Sequence, residues 1–202
     1  MYISDHPGAT QTVLVAVGLG TQRTTPDYVP LTVMNTVLGG LFSSRLNMNL
    51  REKHGYTYGA RSTFDFRRGA GAFWAGGSIR GDATGAATQE IFNELKQMKE
   101  TDVSAEELKL AKDNYSQSLI GRFQTTRQLA GTFGALHVFG LPADYFEKLP
   151  AAIDAVSAAD VHRVAQKYID PAHMFVVAVG DRAKTEAELQ KANVGTVQAV
   201  AQ

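Results

Sequence analysis

The sequence predicts an α+β domain in which helices pack on a sheet, and three observations predict it. Two apolar, β-branched runs, residues 10–20 and 173–181, have the composition of well-covered strands. An aromatic-rich stretch, residues 56–79, alternates at Phe64 and Phe66 and turns at Arg67 to Gly71, as a β-hairpin does. The segments between these repeat apolar residues at helical spacing. The order is strand, helices, hairpin, a long helical block and strand, in one domain over 1–202.

Each element has its own signals. After the first strand, Thr25 is expected to cap a helix with Pro26 at its first position, and Leu31, Met34 and Leu38 recur on one face. Gly39 and Gly40 interrupt that pattern. It resumes with Phe42, Leu46 and Leu50 on one side and stops at Gly55, after Arg51, Glu52 and Lys53. Beyond the hairpin, Asp82 or Thr84 is expected to cap a helix carrying Ala87, Ile91, Leu95 and Met98. Ser104 with Glu107 forms a capping box ahead of Leu108, Ala111 and Tyr115. Helical character stops at Gly140 to Pro142 and returns over 144–168, with Ser157 and Asp160 marking a restart.

Composition removes several function classes. Twenty basic residues balance twenty acidic ones, so no global field favours nucleic acid or an anionic membrane. With no cysteine, the chain can form no disulfide, iron–sulfur or thiolate metal site. No apolar run approaches the roughly 20 residues of a membrane span, and the first residues lack the basic and apolar regions of a signal peptide. None of the five histidines is followed three or four residues on by a histidine or carboxylate, and neither H-E-x-x-H nor H-x-x-E-H occurs. There is no G-x-S-x-G elbow and no phosphate-binding glycine loop. The "RRGAGAFWAG" stretch is a poor match to a base-stacking strand, because Ala70 stands where an aromatic ring is needed.

The informative stretch is "LGGLFSSRLNMNLREKHGYTYGARS", residues 38–62. It combines a Gly-Gly pair, Ser44-Arg45-Leu46, Leu50-Arg51-Glu52-Lys53, a glycine at 55 and a tyrosine at 58. In this combination it resembles the signature of the second homologous domain of the pitrilysin, insulinase and mitochondrial-processing-peptidase family of zinc metallopeptidases. Residues 5–20, 140–171 and 174–181 resemble that domain's opening strand, late helices and closing strand. The fold so implied is a two-layer α+β sandwich, with a mixed, mostly antiparallel sheet and helices on one face.

The resemblance also implies half of an active site. Family enzymes set two similar domains across a chamber, one carrying H-x-x-E-H and zinc, the other an arginine and a tyrosine that reach the substrate. By analogy these are Arg51 and Tyr58, with auxiliary catalytic and substrate-binding roles. No metal is expected on this chain, the zinc belonging to a partner domain or subunit that carries H-x-x-E-H. A peptide substrate and self-association are the other expected partners, and nucleic acid and a membrane span are not expected. The residues carry no compartment address, and between a bacterial periplasm and cytoplasm the resemblance favours the periplasm. A phenol or guanidinium aimed at a peptide carbonyl oxygen stabilises the charge that grows there in the transition state. Tyr56 is assigned to packing or to supporting the site residues from behind, on the expectation that strand alternation sets it against Tyr58. The alternative is a noncatalytic structural or chaperone-like member, which has no need of the Arg51 and Tyr58 pair.

Overall fold

The computed structural model describes residues 1–200. Six strands form one sheet: β1 (Tyr2–Asp5), β2 (Gln11–Leu19), β3 (Thr57–Phe64), β4 (Ala72–Arg80), β5 (Phe175–Gly180) and β6 (Gln198–Val200). Their order is β3-β4-β2-β5-β1-β6. The pairs β3–β4, β4–β2 and β2–β5 are antiparallel, whereas β1 runs parallel to both β5 and β6. The last strand before the C-terminal helix is thus inserted between β1 and β2.

Alternation decides which face is covered. Thr12, Leu14, Ala16, Ala60, Phe64, Phe73, Ala75, Ile79, Val176 and Ala178 point to the helices and are buried. Their neighbours Val13, Phe175 and Val179 point the other way and are exposed, Val13 by 51%. The helical layer comprises α1 (Tyr28–Asn35), α2 (Arg45–Asn47), α3 (Thr84–Glu100), α4 (Ala105–Gly121), α5 (Thr126–Phe139), α6 (Tyr145–Asp154), α7 (Ala158–Tyr168) and α8 (Arg182–Lys191). The α3 stripe of Ala87, Ile91, Leu95 and Met98 lies in the core, and both capping boxes, Ser104 with Glu107 and Ser157 with Asp160, are formed. This is the two-layer α+β arrangement, with a mixed sheet and helices on one face. Among the described residues, no helix is long and apolar enough to cross a membrane.

Three local expectations are corrected. The first long helix starts at Tyr28, and Thr25 and Pro26 precede it. Thr25 instead accepts the Asp27 N–H in a local turn and bonds Tyr168, while the Asp27 carboxylate is drawn to α7 by Arg163, Lys167 and Tyr168 at 2.7–2.8 Å. Neither Asp82 nor Thr84 caps α3. Asp82 pairs with Arg80, and the Thr84 hydroxyl donates to Gly81 O at 2.9 Å. Phe42 lies outside the helical stripe of Leu46 and Leu50, 61% exposed, in the turn before α2.

Candidate functional site

The site is built where α2 meets β3. From Met48 to Lys53 the helix widens to a π-helical turn, a geometry frequent at functional sites. Arg51 lies on this turn. Its Nε is 3.3 Å from Glu52 Oε1, and its guanidinium carbon stands 4.4 Å from the centroid of the exposed Phe42 ring. A flat apolar face and an exposed acid hold it, which is a weak tether compared with a buried ion pair.

Gly55, at φ 63°, ends the helix in the left-handed conformation that glycine adopts without steric cost, and the next N–H, of Tyr56, reaches back to Leu50 O at 2.8 Å. The chain then enters β3 through a bulge. Thr57 stands opposite Ile79 and Ala60 opposite Gly77, so Tyr58 and Gly59 together face Ser78 alone. Three hydrogen bonds from two side chains hold this extra residue. Asn47 Oδ1 accepts the Ala60 N–H at 3.1 Å, Thr57 Oγ1 accepts the Gly59 N–H at 3.0 Å, and the same hydroxyl donates to Ser78 O at 2.6 Å. Asn47 is buried and also donates to Phe42 O at 2.7 Å. One asparagine therefore ties the turn beneath Arg51 to the bulge that carries Tyr58.

Tyr58 is 87% exposed, and its hydroxyl makes no hydrogen bond to another described residue. Tyr56 packs against the core, its ring stacked on His54 with centroids 4.9 Å apart, and its carbonyl accepts the Arg80 N–H at 2.9 Å. Strand alternation does not separate the two tyrosines. Residues two apart share a face in a regular strand. Tyr56 and Tyr58 diverge because Tyr56 precedes the strand and the bulge follows it.

Arg51 and Tyr58 line one concavity of about 490 Å³, together with Gln11, Tyr56 and Arg80. A second hollow of about 530 Å³, lined by Val13, Val15 and Trp74, shares Gln11, Thr57 and Tyr58 with it and runs along the bare sheet face. Arg80 grips Asp82 through two bonds of 2.9 and 3.1 Å, which hold the Asp82 carboxyl below its ordinary range. Gln11, Arg80 and Asn47 escape sequence reasoning. The one signal for this corner is Gly59, because a glycine inside a strand marks a bulge.

The rest of the motif is structural. Gly39 lies against β3 so closely that a Cβ there would be 2.2 Å from Ser62 N. Arg45 forms a two-bond pair with Glu107, at 2.6 and 2.9 Å, while Glu107 also closes the α4 capping box. Among the described residues, no three histidines, aspartates or glutamates are grouped to hold a metal ion. Asp170 and His173 bond at 2.6 Å but form only an exposed pair.

The sequence profile described as the peptidase M16 inactive domain matches residues 2–115. The chain belongs to that family. Among solved structures it is similar to a peptidase M16 inactive domain from Pseudomonas fluorescens, at 26% identity and a TM-score of 0.82, over 89% of this chain and 43% of that one. It also resembles a protease from Helicobacter pylori, at 21% identity and a TM-score of 0.77, over 88% of this chain and 43% of that one. A chain of complex III2 from Candida albicans shares the fold at 11% identity and a TM-score of 0.77, over 99% of this chain and 49% of that one. The chain thus spans about two fifths of the length of the first two structures. No curated protein matches it.

Proposed function

We propose that this inactive-type domain forms one wall of a zinc peptidase's substrate chamber, with Arg51 and Tyr58 contacting the peptide. The carrying observation is that an exposed, unpartnered phenol and a loosely tethered guanidinium line one concavity at the end of an uncovered sheet face. The partner is a homologous domain carrying H-x-x-E-H, in the same polypeptide or a separate subunit. Zinc held by that partner supplies the activated water. This chain's part is to hold the peptide backbone and to present the Tyr58 O–H and the Arg51 N–H groups to the carbonyl oxygen as it gains charge.

A second reading is favoured by the exposed Val13, Leu19, Phe175 and Val179: the sheet face holds unfolded segments without contributing to their cleavage. Mixing the chain with its H-x-x-E-H partner separates the two. The first reading predicts zinc-dependent cleavage of a fluorogenic peptide only when both are present. Full cleavage by the partner alone, with this chain merely suppressing aggregation, would favour the second.

A further inference from the structure

A different concavity, of about 630 Å³, opens among α1, α4, α5 and α6 and shares no lining residue with the site of Arg51 and Tyr58. Its volume falls within the range of about 300–1,000 Å³ usual for small-molecule sites. Arg23 and Arg122 line it with the rings of Tyr28, Phe66, Phe139 and Phe146, and no lining residue is acidic. Arg23 is only 8% exposed, its guanidinium stacked on Tyr28 at 3.4 Å and donating to the Tyr145 hydroxyl at 2.9 Å. Among the described residues, neither arginine has a carboxylate within ion-pair distance. Burial drives the Tyr145 hydroxyl upward in pKa against the pull of Arg23, so no phenolate neutralises that charge. A desolvated guanidinium with no counter-charge is costly, and an anion entering the concavity removes that cost. Gly131, within α5, lines the same wall, and a Cβ there would meet nothing within 4 Å. Packing therefore does not require glycine at 131, and its lack of a side chain leaves that wall clear.

We propose that this concavity binds a carboxylate carried on an apolar, preferably aromatic, body, with Arg23 and Arg122 on the carboxylate and the aromatic rings around the body. Planar guanidinium forks match carboxylates, and the phenyl walls accept a flat apolar group. Such a carboxylate is carried either by a free organic acid or by the C-terminal end of a peptide.

Calorimetric titration of the full chain with 3-phenylpropionate, N-acetyl-phenylalanine and the neutral N-acetyl-phenylalaninamide tests this. Both or either of the acids is expected to bind, and the amide to bind at least about tenfold more weakly. Preference for N-acetyl-phenylalanine identifies a peptide end as the source, and equal or better binding of 3-phenylpropionate identifies a free acid. Arg122→Gln, at a partly exposed position, is expected to weaken acid binding by about tenfold and leave the amide unaffected. Gly131→Leu, which favours the helix, is expected to block all three by filling the concavity. Circular dichroism confirms that both variants are folded. Acid and amide binding alike, no saturable binding up to about 10 mM, or acid binding indifferent to Arg122→Gln and Gly131→Leu overturns the proposal. None of these outcomes depends on peptidase activity.

Discussion

Asn47 accepts the backbone N–H of Ala60 across 3.1 Å, from a helix to a bulged strand 13 residues further along the chain. The bond satisfies an N–H that the bulge removes from the ladder, and it fixes the point where β3 changes register. Tyr58 owes its outward placement to that change.

Asn47→Ala is accordingly expected to cost about 1–3 kcal/mol, because the Ala60 N–H loses its partner in a buried place and the Phe42 carbonyl loses one in a partly buried place. Urea unfolding followed by circular dichroism measures this. A midpoint equal to that of the parent chain would contradict it.

Gly39→Ala tests the close approach to β3 of a second π-helical turn, Thr36–Gly40, which follows α1. A Cβ at 39 would meet Ser62 N at 2.2 Å, and backbone cannot yield as a flexible side chain can, so a loss of about 3 kcal/mol or non-folding is expected. Gly40→Ala is the control, its nearest contact being 3.2 Å, to Asn35 O, and it is expected to be milder. Thermal unfolding of the two variants compares them directly.

Much of this architecture is legible in the residues, and the parts that are not share a cause. The run at 10–20, the hairpin, the α3 stripe and both capping boxes carry local signals and form where those signals stand. The strands Tyr2–Asp5 and Gln198–Val200 are too short to show a period and exist through their parallel pairing. Helix α8 buries little besides Thr185 and Leu189, so it shows no stripe. The start of α1 moves because Asp27 serves a helix 136 residues away rather than its own. In the candidate site, the motif points to Arg51 and Tyr58, but the bulge depends on Asn47, and Gln11 and Arg80 arrive from other strands. Long-range partners decide these places, and no local pattern encodes them.

Asp27 predicts an acid-sensitive contribution to stability. Burial alone would raise its pKa, but bonds from Lys167, Arg163 and Tyr168 outweigh this and lower it from 3.8 to about 2. The folded state therefore favours the carboxylate, and its contribution is present above the unfolded pKa near 4 and is lost as pH falls through about 2. With Arg163 and Lys167 half in solvent, about 1–2 kcal/mol is expected. Asp27→Asn should be less stable than the parent at neutral pH, and the difference should shrink between about pH 4 and 2. Chemical unfolding across that range checks it, and a constant difference would refute the assignment.

Glu107 links two elements, capping α4 and gripping Arg45, and its carboxyl is held below its ordinary range chiefly by Arg45. Glu107→Gln is expected to cost about 1–3 kcal/mol at neutral pH. Asp113→Asn, which breaks an exposed pair with Lys109, should cost less than about 0.5 kcal/mol. Equal effects in urea unfolding would show that the Arg45 pair contributes no more than a surface contact.

The most direct test of the Arg51 and Tyr58 assignment is turnover at saturating peptide by the chain reconstituted with its H-x-x-E-H partner, comparing Tyr58→Phe with Tyr56→Phe. Each variant loses one hydroxyl and keeps its ring. The account predicts that Tyr58→Phe lowers turnover by about 10²- to 10³-fold, as the loss of one donor to a developing oxyanion does, with the fold and the zinc content of the assembly unchanged. Tyr56→Phe, whose ring packs on His54 and the core, should leave turnover near the parent value. Full turnover by Tyr58→Phe, or a larger loss in Tyr56→Phe, would contradict the account.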